Sequence, residues 1–333
     1  MTKAETSRVA DIWRPKVGLA LGGGVARGFA HIGVLRVLLR NGIAPDIVVG
    51  TSIGAVVGAA YLAGKLDAFE EWARSLNRFR ILSYLDFRVR SAGLIGGDRL
   101  AKTLEQHLGG RTFESLGHGF VAIATDMVTG HEVWLREGPL VEGLRASFAL
   151  PGIFAPVMLD HRWLVDGALV NPVPVSACRA MGAQMTIAVN LNADLIGISR
   201  PAGSSIPTVA GFDLLDQPHE AADAARRNPL ARRFFRREPG KPSLFGVMFA
   251  SLNILQDRIA RSRLAGDPPD ISIDPRIGHI GLAEFDRAAE LIDAGATAVE
   301  RRLPQILDAF AVLGATPADA EAGPPPTRPA AGS

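Results

Sequence analysis

Residues 16–64 read KVGLALGGGVARGFAHIGVLRVLLRNGIAPDIVVGTSIGAVVGAAYLAG, and this stretch decides the fold. Two short apolar runs, 16–21 and 47–49, each lead into a glycine-containing loop, and each loop is followed by an apolar stretch of helical length. Strands that alternate with helices in this way form parallel sheets with helices packed on their faces. The sequence therefore predicts an α/β fold with a mainly parallel central sheet.

The remainder of the chain adds further elements to this core. Apolar patterning predicts strands at 119–124, 132–135, 163–165 and 185–190, and helices over 243–263 and 282–307. We expect three regions along the chain: a polar leader at 1–15, one domain over 16–310 with a basic insertion at about 200–242, and an Ala/Pro-rich, disordered tail at 311–333.

Composition excludes several classes of protein. The net charge of +2 argues against a nucleic-acid binder that acts through its overall field. The single cysteine, Cys178, can form neither an internal disulfide nor a thiolate metal cage. The uncharged run 47–64 is glycine-rich and is better explained by a strand, a turn and a helix than by a membrane span. The N-terminus lacks an apolar stretch of signal-peptide length, so we expect a cytoplasmic protein.

The first chemical motif is Gly50-Thr51-Ser52-Ile53-Gly54, a G-x-S-x-G between a predicted strand and a predicted helix. A sharp turn there exposes the serine hydroxyl, and the small residues on either side avoid collisions around a strained backbone. The helix that begins at Ile53 points its N–H groups toward developing negative charge. The alternative is a glycine-rich turn with an incidental serine.

The second motif is the loop Gly22-Gly23-Gly24-Val25-Ala26-Arg27-Gly28. It matches neither the G-x-G-x-x-G of dinucleotide-binding folds nor a P-loop, which needs Lys and then Ser or Thr after its last glycine. Bare N–H groups backed by a helix and a nearby guanidinium suit an oxyanion hole for acyl transfer. A phosphate-binding loop is the competing interpretation.

The third motif is Leu164-Val165-Asp166-Gly167-Ala168, an apolar strand that ends in Asp-Gly. A carboxylate at the end of a strand, next to a glycine that allows close approach, can accept the proton of a serine. The alternative is an ordinary Asp-Gly turn.

In this order, the three motifs resemble those of the patatin-like phospholipase family, in its compact bacterial branch related to the catalytic domain of neuropathy target esterase. The resemblance covers roughly 16–303 apart from the basic stretch, and includes Ala124-Thr125-Asp126, Pro151-Gly152-Ile153-Phe154 and Asn171-Pro172-Val173-Pro174. It implies a three-layer α/β/α sandwich and a Ser–Asp dyad rather than a triad.

The resemblance also implies a role for each motif residue. Ser52 is the expected nucleophile and Asp166 the expected base. Gly23 and Gly24 are the expected donors to the oxyanion, with Val25 in the same loop and Arg27 beside them. Many relatives have glycine at the position of Val25, and a β-branched valine would be strained there if the position needs a positive φ.

This mechanism requires no metal and no cofactor. The rival is a triad with a histidine after the acid, for which His219 and His279 are the candidates. The expected function is that of a serine lipid-acyl hydrolase: a phospholipase, lysophospholipase or esterase. The alternative is a protein of the same fold that binds lipid or a partner and turns over negligibly.

A basic stretch begins at Arg226 and ends at Lys241, with Phe234 and Phe235 in its centre. It is either a solvated insertion or a contact with anionic lipid at the inner face of the membrane. The apolar residues that follow it suit a lid over the acyl-chain groove: Leu244, Val247, Met248, Leu252, Ile254 and Leu255. The oligomeric state does not follow from the sequence.

Overall fold

A computed structural model describes residues 14–76, 98–117, 119–194 and 244–314. Its strands are β1 Val17–Leu21, β2 Ile47–Thr51, β3 Gly119–Asp126, β4 Glu132–Leu135, β5 Val157–Leu159, β6 Arg162–Asp166, β7 Met185–Val189 and β8 Ile271–Ile273. Its helices are α1 Ala30–Arg40, α2 Ile53–Leu62, α3 Leu66–Arg74, α4 Asp98–Leu108, α5 Leu140–Ser147, α6 Val175–Ala180, α7 Leu244–Gly266 and α8 Ala288–Val312.

The eight strands form one mixed sheet in the order β5-β6-β3-β2-β1-β7-β8, with β4 also paired to β3. The pairs from β3 through β2, β1 and β7 to β8 are all parallel. The pairs that involve β4, β5 and β6 are antiparallel. The predicted α/β class is confirmed, and an antiparallel extension lies on one side of the parallel core.

Alternation along β1 explains the three layers. Val17, Leu19 and Leu21 point to one face, where they pack in a core with residues of α1, α2 and α8. Ala20 points to the other face, where it packs with residues of α6 and with Ala260 of α7. Since successive side chains of a strand point to opposite faces, a fully buried strand such as β1 needs apolar residues on both.

The predicted start of the last helix was wrong. The helix expected from 282 begins at Ala288, after a short 3-10 turn at Phe285–Arg287. Near the N-terminus, Val25–Phe29 forms a 3-10 turn, and α1 begins directly after it at Ala30. In the part of the chain that the structure describes, no helix combines the length and the apolarity that crossing a membrane requires. Almost all of the leader, the whole basic insertion and almost all of the tail lie outside the described residues.

Candidate active site

The ends of β2 and β6 meet on one edge of β3. Residues 122–125 of β3 pair with β4, so β4 occupies the whole of one edge there. On the other edge, β2 pairs as far as Thr51 opposite Ile123, and β6, running the opposite way, ends with Asp166 opposite Ala124. The residue after Thr51 is Ser52, so this register brings Ser52 and Asp166 together although 114 positions separate them.

Ser52 lies on a strained turn between β2 and α2, with φ 57° and ψ −124°. Its N–H donates to Ser147 Oγ at 3.0 Å, and Ser147 Oγ donates in turn to the carbonyl of Ile123 at 2.6 Å. A Cβ at Gly50 would overlap the backbone of Ala55, and a Cβ at Gly54 would overlap the carbonyl oxygen of Leu21. Because Gly50 and Gly54 have no Cβ, the backbone segments on either side of Ser52 can pack as closely as this strained turn requires.

Asp166 is the hydrogen-bond partner of Ser52. Ser52 Oγ donates to Asp166 Oδ2 at 2.6 Å, and the N–H of Ala168 donates to Asp166 Oδ1 at 2.8 Å. The Asp166 backbone is also held, since its N–H donates to the carbonyl of Ala149 and its own carbonyl accepts from Thr125 Oγ1. Asp166 is only 1% exposed, and burial raises its pKa to about 6 although its two hydrogen bonds act in the opposite direction.

The glycine loop lies against this pair, since a Cβ at Gly23 would stand 3.6 Å from Ser52 Cβ. The N–H of Gly23, an expected donor to the oxyanion, donates in this structure to the carbonyl of Pro172 at 2.9 Å. Gly22 is likewise bonded to the carbonyl of Val189. Within the described residues, the N–H groups of Gly24 and Val25 make no hydrogen bond, so they are the open donors of the loop.

Arg27 anchors the loop rather than facing the serine. Its guanidinium donates to the carbonyls of Ile280 and Gly278 and to Asn192 Oδ1. Burial lowers the pKa of Arg27, and the charges of Asp194 and Glu284 partly offset that effect. Arg27 lies beside Gly24, as expected, since its N–H donates to the Gly24 carbonyl at 3.0 Å, and its side chain ties the loop to the segment before α8. The N–H of Ala26, which donates to the carbonyl of Leu282, reinforces this tie.

Val25 has φ 51°, the positive φ at which a β-branched residue was expected to be strained. We expect Val25→Gly to be more stable than Val25→Ala by about 1 kcal/mol, although alanine is normally the more stabilising of the two. Both variants remove the two Cγ methyl groups and differ only in Cβ, whose steric clash at a positive φ is the strain to be measured. Urea unfolding of the two variants measures it, and a less stable glycine variant would contradict the assignment of strain.

The described histidines do not form a triad. His31 is fully buried, its Nε2–H donates to the carbonyl of Gly22 at 2.8 Å, and burial lowers its pKa to about 4. His279 pairs with Glu290 at 2.8 Å. None of the hydrogen bonds of Ser52 or Asp166 in the described ranges involves a histidine, and His219 lies outside those ranges. Over the same ranges, no group of three or more metal-ligating side chains is present.

Several contacts that shape the site were missed by sequence reasoning. Ser147 Oγ accepts a hydrogen bond from the N–H of Ser52 and so supports its turn. Thr51 Oγ1 donates to the carbonyl of Asn171 at 2.8 Å. The carbonyl of Pro172 accepts from the N–H of Gly23. Asn171 and Pro172 lie in a stretch that carried the family resemblance, and this resemblance was the only sequence feature that pointed to them. Ser147 lies in α5, where no sequence pattern pointed to a role in the site.

Helix α7 lies beside the dyad. It packs against the turn Gly167–Leu169, which directly follows Asp166. The side chain of Met248 contacts Gly152 so closely that a Cβ there would overlap its terminal methyl group. The apolar segment that was interpreted as a lid is therefore a helix at the carboxylate side of the site.

A layered α/β fold with a serine on a strand–helix turn and a buried carboxylate beside it is an arrangement that serine hydrolases use. The chain belongs to the patatin-like phospholipase family, and within it to the NTE family. Residues 19–179 match the model described as patatin-like phospholipase. An uncharacterized NTE family protein of Mycobacterium tuberculosis strain H37Rv is 34% identical over 92% of this chain and 95% of its own length.

More distant relatives share only part of their length with this chain. Lysophospholipase NTE1 of Pyricularia oryzae is 28% identical over 84% of this chain and 18% of its own. The crystal structure of VipD from Legionella pneumophila aligns with 88% of this chain and with 67% of the VipD chain, at 12% sequence identity. The TM-score of this alignment is 0.45, which is too low to support any inference. Family membership assigns lipid hydrolysis to this chain as a general class of activity.

Proposed function

We propose that this chain is a serine carboxylic-ester hydrolase that acts on phospholipid, lysophospholipid or another lipid acyl ester through a Ser52–Asp166 dyad. The observation that carries the proposal is a 2.6 Å hydrogen bond from Ser52 Oγ to the buried carboxylate of Asp166. Ser52, the donor, lies on a strained turn. Burial raises the pKa of Asp166 to about 6, which brings its basicity nearer to a neutral working pH than that of an ordinary aspartate.

The proposed reaction has two steps. Asp166 accepts the proton of Ser52 as Oγ attacks the ester carbonyl, and the N–H groups of Gly24 and Val25 bind the oxyanion. The tetrahedral intermediate collapses, and the leaving alcohol takes the proton from Asp166, which leaves an acyl-serine. Water then attacks the acyl carbon and gives its proton to Asp166. Asp166 passes this proton to Ser52 Oγ as the bond between Oγ and the acyl carbon breaks, which releases the fatty acid and restores the dyad. Because a carboxylate is a weak base for an alcohol, the oxyanion donors contribute much of the rate, roughly 3–4 kcal/mol each.

The proposal includes where the protein acts. We propose a cytoplasmic protein that contacts anionic lipid at the inner face of the membrane through the basic stretch from Arg226 to Lys241. Its six arginines and one lysine against one glutamate would attract lipid phosphates.

A fluorophosphonate probe tests the enzymatic proposal. The wild-type chain is expected to form a covalent adduct at Ser52, and Ser52→Ala to form none, because the probe traps only an activated serine. Ser251→Ala is the matched control, since Ser251 is exposed on α7 and donates only to a backbone carbonyl of the same helix. An unlabelled wild type would instead favour a lipid-binding protein with negligible turnover, and a labelled Ser52→Ala would place the nucleophile elsewhere.

A further inference from the structure

Helix α7 exposes large apolar side chains on one face. Ile254 is 60% exposed, Leu255 54% and Val247 46%. At 3.6 residues per turn, these three share one side of the helix with Ser251 and Arg258, which are also exposed. We call these five residues the outer face of α7. Apolar groups of this size are normally buried when they cluster, so the outer face is a candidate contact surface.

The opposite side of α7 faces the protein near the candidate active site. Ala260 is buried in the core on that side of the sheet. Met248, which packs on Gly152, lies at the edge of the outer face beside Leu255. The helix also packs against the turn that follows Asp166. Since a helix with its side chains is about 10 Å across, the outer face lies within about one helix thickness of that turn.

Charge on the outer face is basic. Arg258 lies one turn beyond Ile254 and Leu255, and it forms no ion pair with any residue in the described ranges. The carboxylate of Asp257, at the flank of this face, is paired with Arg261 at 2.9 Å. The outer face itself contains no carboxylate. An apolar patch followed by a cation that has no ion-pair partner in the described ranges matches the surface of a membrane that contains anionic lipid.

We propose that the outer face of α7 docks on the surface of an anionic lipid aggregate and so places the Ser52–Asp166 dyad beside its substrate, an inference that rests on the proposed hydrolase function. A lipid surface accepts three apolar side chains without shape complementarity. A second copy of the chain would need roughly 800 Å² on each partner for a stable dimer, and three side chains on one helix fall far short of that.

Vesicle cosedimentation of the full chain tests this docking surface. The wild type is expected to bind vesicles of phosphatidylcholine mixed with phosphatidylglycerol more tightly than vesicles of phosphatidylcholine alone. The variant V247Q/I254Q/L255Q is expected to lower the partition coefficient about tenfold or more, because three apolar side chains no longer insert. R258Q is expected to lower the preference for anionic vesicles about fivefold.

The matched control is L307Q/V312Q, which replaces exposed apolar residues of α8, a helix that packs on the other face of the sheet. This control is expected to bind vesicles like the wild type. Unchanged binding by the triple variant, an equal loss in the control, or a lipid-free dimer that the triple variant dissociates would each overturn the docking surface.

Turnover of soluble p-nitrophenyl butyrate separates the docking surface from the proposed function. The triple variant is expected to hydrolyse this monomeric ester at the wild-type rate and to lose activity only on vesicles. A wild type that hydrolyses the ester but binds no vesicles would refute docking and leave the hydrolase proposal standing. A wild type that binds vesicles through α7 but neither hydrolyses the ester nor reacts with the fluorophosphonate would refute the hydrolase proposal instead.

Discussion

Replacement of Asp166 by asparagine is expected to lower kcat/KM about 10³- to 10⁴-fold and, at the same time, to raise the free energy of unfolding at pH 8. The loss of turnover follows from the role proposed for the carboxylate. An amide is no base, so the proton of Ser52 would have no acceptor during attack, and only the oxyanion donors and substrate binding would still accelerate the reaction.

The gain in stability follows from the pKa of Asp166. Burial raises this pKa from 3.8 to about 6, so the folded chain holds the proton more tightly than the unfolded chain. The stability that comes from the protonated form is complete below pH 4 and is lost as the pH rises through 6. Above pH 6 the ionised carboxylate costs roughly 3 kcal/mol of the free energy of unfolding, and asparagine does not carry that cost.

Asparagine can also keep both hydrogen bonds of the native carboxylate. Its oxygen can accept from the N–H of Ala168, and its NH₂ group can donate to Ser52 Oγ once the serine hydroxyl rotates. No buried polar atom is then left without a partner. The substitution should therefore separate the catalytic contribution of Asp166 from its structural one.

Urea unfolding of wild type and Asp166→Asn at several pH values measures this expectation. The difference in free energy of unfolding should be near zero at pH 4 and should grow to its full size above pH 6. Mass spectrometry must accompany the assay, because the new asparagine precedes Gly167 and deamidation would regenerate the carboxylate. A variant that retains turnover, or one that is less stable than wild type at pH 8, would contradict the role assigned to this residue.

The parts of the site that could be predicted from sequence are the parts that lie in local motifs at strand ends. Ser52 and Asp166 each lie at the end of an apolar run, in a motif that is visible in the sequence. The meeting itself depends on β6 running antiparallel on the same edge of β3 as β2. That register is a tertiary property, and no sequence pattern showed it.

The donors of the glycine loop could not be separated from one another by sequence. Gly22, Gly23 and Gly24 are chemically identical, and only their partners distinguish them. The carbonyls of Val189 and Pro172 accept from the N–H groups of Gly22 and Gly23, whereas those of Gly24 and Val25 have no partner among the described residues. The carbonyls that hold Arg27 come from Gly278 and Ile280, in a segment without a recognisable pattern. A local motif therefore predicted the loop, and distant backbone atoms determine how it works.

The crossing of α1 and α8 is a second feature that sequence patterning did not predict. The two helices touch through glycines, one from each. A Cβ at Gly33 would overlap the carbonyl oxygen of Ile292, and a Cβ at Gly295 would overlap the carbonyl oxygen of Ala30. Helix α8 also contacts the 3-10 turn Val25–Phe29, so this crossing supports the glycine loop from behind. Helical periodicity explains which side of each helix is buried, but it does not show that two backbones touch.

We expect Gly33→Ala and Gly295→Ala each to lower the free energy of unfolding by about 3 kcal/mol or more. The obstacle to each new methyl group is backbone, which cannot rotate away as a side chain can, so the helices must separate and lose packing along their length. Urea unfolding measures the loss. Gly266→Ala is the control, because Gly266 lies at the end of α7 with no atom within 4 Å of a built Cβ, and it should be neutral or slightly stabilising.

The double variant Gly33→Ala/Gly295→Ala tests the cause of that loss. Once the first methyl group has moved α1 away from α8, the second enters a gap that already exists, so the combined loss should be smaller than the sum of the two single losses. Additive losses would mean that each glycine acts through its own helix and not through the crossing. Because α8 supports the turn that carries Val25, both single variants should also lower kcat for ester hydrolysis at temperatures where they remain folded, whereas Gly266→Ala should leave it unchanged.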